Sequence, residues 1–103
     1  MQKLNVGERL VTISILPRNS TFIEMKVIQG LIGKLSLSNE DIISYGITEK
    51  DGQVHWNDKG KEPSEFNLDQ IEVALIKKTL QSLDEKGEIT QEIIPVYEKF
   101  LQV

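Results

Sequence analysis

The residues able to do chemistry are few. The chain holds one histidine, His55, and no cysteine. Thiolate nucleophiles, thiolate zinc sites, iron–sulfur clusters and disulfides are therefore excluded. A general base of the histidine type has to be His55. It follows Gln53 and Val54 on a short extended run, and alternation points it away from the Trp56 face, toward solvent. No Gly-x-Ser-x-Gly elbow accompanies it. Calcium fails on spacing. With Gly87 at the sixth position of an EF-hand loop, Lys86 occupies a ligand position and Ile93 stands where a bidentate glutamate belongs. With Gly52 there, Ile47 opens the loop and Asp58 closes it, which fails as well. Gly30-x-x-Gly33 is too little to cradle a phosphate. The paired acids Glu40-Asp41 and Asp84-Glu85 are sequence neighbours near helix ends, where they read as caps and solvated faces. The expectation is no enzyme, no metal and no cofactor.

Nucleic acid is the next chemistry to weigh. The turn Pro17-Arg18-Asn19-Ser20, a helix over 21–35 and a later Asp-Gly hairpin have the outline of a winged helix-turn-helix. Contact to DNA would fall to Arg18, Lys26 and Lys34. Two lysines are a thin basic face for a reading helix, and the hairpin tip Glu49-Lys50-Asp51-Gly52 is net negative. A small winged-helix regulator is thus the alternative reading.

The elements that would position these groups follow from periodicity. Residues 8–16 carry two patterns. Val11, Ile13 and Ile15 alternate with Thr12 and Ser14 as in a strand, which local propensity favours. Val6, Leu10, Ile13 and Leu16 also fall at helical spacing, so both forms stay open. Pro17 ends the element. Thr21 and Glu24 form a capping box for a helix over 21–35, with Phe22, Met25, Ile28, Leu31, Ile32 and Leu35 as its apolar stripe. Gly30 and Gly33 suggest close approach of another backbone, or fraying. Ser38 with Asp41 opens a short helix to about Ser44. Asp51-Gly52 predicts a two-residue hairpin over 47–56, pairing Lys50 with Gln53, Glu49 with Val54 and Ile47 with Trp56. Ile47, Val54 and Trp56 should then pack on the core. Phe66 and Leu68 are an extended piece at 65–68, able to add a third strand. Asp69 with Glu72 starts a helix bearing Val73, Ile76, Leu80 and Leu83, widened by Ile71 and Leu75, and Gly87 is its C-terminal cap. Thr90 can cap a last helix with Ile93, Val96, Tyr97, Phe100 and Leu101, in which Pro95 forces a kink or a later start.

At 103 residues the chain is one domain, 1–103, with 39% hydrophobic and 27% charged residues. The expected class is α+β and mainly helical, with about four helices and the hairpin. Net charge is −4, unevenly spread. Residues 1–36 hold five bases against two acids, and 37–103 hold seven against fourteen. No apolar run reaches a membrane span or a signal peptide, which predicts a cytoplasmic protein without a membrane partner.

Several short motifs resemble those of small uncharacterised proteins carried by phages and prophages of Gram-positive bacteria. They are Gly7-Glu-Arg-Leu10, Ile15-Leu-Pro17, Phe22-x-x-Met25-Lys26-x-Ile28, Val54-x-Trp56-Asn57, Leu83-Asp84-x-x-Gly87-x-Ile89-Thr90 and Tyr97-Glu-Lys-Phe100. The resemblance implies a mobile-element origin and a helix at 6–16, and it carries over no site residues. The functional expectation is a non-enzymatic protein-binding or assembly module, such as a phage accessory factor or an inhibitor of a host protein. Its surface is expected at the chain end, where Phe100, Leu101 and Val103 are the apolar surplus and Tyr97 joins them for a partner or a second copy; a last helix folded wholly onto its own core stays equally open.

Overall fold

The computed structural model describes residues 2–101. Helix α1 (Val6–Ile15) settles the ambiguous segment as helix, so the strand favoured by local propensity is corrected. The deciding signal lies just before that segment. Asn5 Oδ1 accepts from the Glu8 amide at 2.8 Å, and the Asn5 amide donates to Glu8 Oε1 at 2.9 Å. This reciprocal cap nucleates the first turn. Thr12 is satisfied inside the helix, its hydroxyl donating to the Glu8 carbonyl at 2.7 Å.

Helix α2 (Phe22–Leu35) starts on Thr21, whose hydroxyl accepts from the Glu24 amide at 3.2 Å. The box is not reciprocal, because the Glu24 carboxylate accepts a hydrogen bond from Ser20 Oγ instead, at 2.8 Å. Ile28, Leu31 and Leu35 are buried, whereas Phe22 and Ile32, expected on the same stripe, are exposed. No backbone lies against Gly30 or Gly33: a Cβ at Gly30 would meet only Glu72 Oε2, at 3.7 Å, and one at Gly33 would meet nothing within 4 Å. Helix α3 (Asn39–Ser44) follows, with the Ser38–Asp41 capping box formed in both directions.

Strands β2 (Thr48–Lys50) and β3 (Gln53–His55) pair as expected, Lys50 with Gln53 and Glu49 with Val54. Asp51 has φ +54° and Gly52 φ +76°, the double positive φ of a type I′ turn. The packing expectation fails, however. All six strand residues are exposed, Val54 by 39%, and only Ile47 and Trp56 are half-buried. The hairpin is docked at its base, where the Asn57 amide donates to the Tyr45 carbonyl at 2.8 Å.

After a 3-10 turn at Asp58–Lys61, strand β4 (Ser64–Phe66) supplies the further extended piece. It does not extend the hairpin. It pairs antiparallel with β1 (Gln2–Leu4), an N-terminal strand too short to show a period, placing Gln2 against Phe66 and Leu4 against Ser64. Helix α4 (Gln70–Glu85) carries the Asp69–Glu72 capping box and buries Leu75, Ile76 and Leu80. It ends at Gly87, φ +69°, with the Glu88 amide donating to the Leu83 carbonyl at 2.8 Å, a Schellman closure. Helix α5 (Ile94–Leu101) begins later than Thr90 would have it. Residues 91–93 form a turn, and Pro95 falls in the first turn of α5, where its missing amide costs no hydrogen bond.

The molecule is thus mainly helical α+β. Leu4, Ile28, Leu31, Leu35, Ile76, Leu80, Val96 and Phe100 form one core. Among the described residues no helix is long and apolar enough to cross a membrane.

Candidate functional site

The buried polar side chains are occupied in holding helices together. Arg9 donates from Nε to the Leu35 carbonyl at 3.0 Å, and from its terminal nitrogen to the Ser36 carbonyl at 2.9 Å and to Asp41 at 3.2 Å. It therefore closes the negative C-terminal end of α2 while tying α3 to α1. Its guanidinium also lies 4.8 Å from the centre of the Phe66 ring. Lys34 pairs with buried Glu72 at 2.6 Å, and Lys99 with buried Glu8 at 2.7 Å. The Ser38 amide, then the Arg9 and Ser38 side chains, hold the Asp41 carboxyl below the usual aspartate range despite opposition from burial. No buried side-chain nitrogen or oxygen lacks a partner among the described residues.

The site residues expected from the sequence are scattered by this packing. Phe100 is in the core, 2% exposed, so it is not the free apolar surplus the chain end was expected to offer. Tyr97 and Leu101 are half-buried. The Tyr97 hydroxyl donates to Asp84 at 3.1 Å, and that carboxylate raises the phenol's pKa above its ordinary value. Val103 lies outside the described residues. Of the three candidate DNA contacts, Arg18 and Lys26 are exposed, while Lys34 is turned onto Glu72 and the Asn67 carbonyl. His55 is exposed on β3. Among the described residues no group of three or more histidines, cysteines or acids could hold a metal ion.

The surface that stands out was not singled out from the sequence. Phe22 is 79% exposed, Ile23 78% and Ile71 66%. Ile23 and Val27 of α2 face Ile71 and Ala74 of α4 across a groove of about 300 Å³. The Glu24–Lys78 pair, 3.5 Å apart, also lines it. Its signal was readable in retrospect. Phe22 and Ile23 are neighbours about 100° apart on a helix, and the α2 core face set by Ile28, Leu31 and Leu35 has no place for both.

With this geometry in hand, comparison with known proteins adds nothing further: no family model, no curated protein and no solved structure matches the chain.

Proposed function

We propose that the protein is a non-enzymatic protein-binding module that docks partners on the α2–α4 face. The observation that carries this reading is the exposed apolar set Phe22, Ile23 and Ile71 beside an apolar groove. Isolated exposed apolar residues are ordinary, but Ile23 and Ile71 line one groove between two helices, and Phe22 is the sequence neighbour of Ile23, which together read as an interaction surface. The likeness of its motifs to phage and prophage proteins makes a host protein in the cytoplasm the partner class. On α2, the helix that would read DNA, Lys34 is paired with Glu72, so of its two lysines only Lys26 has no carboxylate partner among the described residues. That disfavours DNA as the partner.

The test is recovery from a Gram-positive host expressing the tagged chain, with Ile23→Ser/Ile71→Ser beside it. Both side chains are largely exposed, so the double variant should keep its circular dichroism and melt. A discrete protein recovered with wild type and lost with the variant is the expected result. Identical recovery from both, or none from either, overturns the reading. Retention of random duplex DNA at low salt that depends on Arg18 and Lys26 replaces it with the regulator alternative.

A further inference from the structure

A second cleft, sharing no lining residue with the first, lies between the start of α1 and the start of α5. It measures about 440 Å³. Leu10, Val11, Pro95 and the Trp56 ring supply its apolar walls, and Glu8 and Glu92 supply carboxylates. No lysine, arginine or histidine lines it among the described residues.

Two details make this more than an acidic hollow. The first is the way Glu8 distributes its bonds. Both donors that reach it, the Asn5 amide at 2.9 Å and Lys99 Nζ at 2.7 Å, bind the same oxygen, Oε1. Oε2 accepts no hydrogen bond among the described residues and is the oxygen left open to solvent. Lys99, which pairs with Oε1, is held on that side by a second bond to the Lys3 carbonyl at 2.7 Å, so Glu92 is the carboxylate of the cleft with no cation on it among the described residues.

The second is the fixing of Trp56. A Cβ on Gly60 would lie 2.6 Å from its Cδ1, and a Cβ on Gly7 would lie 3.2 Å from its Cζ2. The indole is therefore held between two glycines, one in α1 and one in the 3-10 turn. A rigid aromatic wall costs a ligand no ordering entropy.

We propose that this cleft receives an arginine or lysine side chain presented by a partner protein. The aliphatic stem lies along Leu10, Val11 and Pro95, as long cationic side chains favour. The charged head meets Glu92 and the free Glu8 oxygen at the indole, combining charge-assisted hydrogen bonds with attraction to the ring. The chain's net charge of −4 steers a basic segment toward it.

Trp56 is the sole tryptophan, so intrinsic fluorescence reads the cleft directly. The probes are N-acetyl-arginine amide, N-acetyl-norleucine amide and a blocked Ala-Ala-Arg-Ala-Ala peptide. The arginine amide should give a saturable change, the peptide should bind more tightly, and the norleucine amide should give none. Glu92→Gln, at an exposed position, should leave the melt unchanged and weaken the peptide by about two- to fivefold. Equal binding of norleucine and arginine amides overturns the proposal. So does an unchanged affinity in Glu92→Gln, or a peptide that binds no better than the amide. These outcomes do not bear on the α2–α4 face, whose residues the probes do not touch.

Discussion

The helical body, α1 to α5, and the β2–β3 hairpin are built on opposite principles. The body excludes water and then ties its helices with ion pairs at their ends, Arg9–Asp41, Lys34–Glu72 and Lys99–Glu8. The hairpin buries none of its strand residues. It takes its shape from a two-residue turn and its position from the Asn57–Tyr45 bond at its base and one ring wedged between two glycines. Local chemistry can specify a shape without contributing much to global stability, whereas the body's order depends on contacts distant in sequence.

The largest expected effect breaks the body. Arg9→Leu removes the donors to the Leu35 and Ser36 carbonyls and leaves Asp41 without its cation. Arg9 is buried but the Asp41 side chain is 28% exposed, so the loss rests mainly on the two orphaned carbonyls and comes to about 2–4 kcal/mol, which would show as an early urea midpoint. Val54→Ala in the hairpin is the control and should move the midpoint by less than about 0.5 kcal/mol. Equal effects would mean the hairpin is coupled to the core after all.

Gly60→Ala acts at the joint between the two regions. Its methyl would come within 2.6 Å of Trp56, so the ring or the 3-10 turn must shift. Overpacking of this kind costs about 1–3 kcal/mol, and a changed Trp56 emission in the folded protein would locate the strain. Gly52→Val acts farther out. A β-branched residue at φ +76° is strained by about 1–2 kcal/mol, and nothing around Gly52 restrains the turn from opening to relieve it. The expected result is faster amide exchange at Gln53–His55 with a body melt lowered by no more than about 1 kcal/mol. A larger global loss would break the distinction.

What the sequence made legible follows the same division. Asp51-Gly52, Ser38-x-x-Asp41, Asp69-x-x-Glu72 and Gly87 act within a few residues, and each is placed as read. What stayed open or was misread needed mostly distant information. Residues 8–16, open between strand and helix, are helix because the local Asn5–Glu8 cap starts it and α2, α4 and α5 then cover it. Strand β4 found β1 rather than the hairpin, a pairing that spans most of the chain. Phe100 went inward once α5 began at Ile94, and the exposed surface passed to Phe22, Ile23 and Ile71. The adjacent Phe22 and Ile23 were a legible hint of the first surface, but the clefts themselves were not readable, since each is assembled from segments that only folding brings together.

The smallest expected effect is a pH dependence confined to the body. Asp41 has its carboxyl held below the ordinary aspartate range, first by the Ser38 amide and then by the Arg9 and Ser38 side chains. A depressed folded-state pKa contributes stability above the unfolded value, near 3.9 for an aspartate, and loses it as pH falls through the folded value. Acidification should therefore release α3 from Arg9 and from its own cap. Asp41→Asn keeps an acceptor in place but cannot titrate. It should be less stable than wild type at neutral pH by about 1 kcal/mol or less, and the gap should close toward about pH 2. Thermal melts of both chains across that range measure the gap itself, in which the other carboxylates cancel. A gap that stays constant with pH would show that Asp41 serves α3 as a hydrogen-bond acceptor alone, and that the charge on its link to Arg9 is not what joins the third helix to the body.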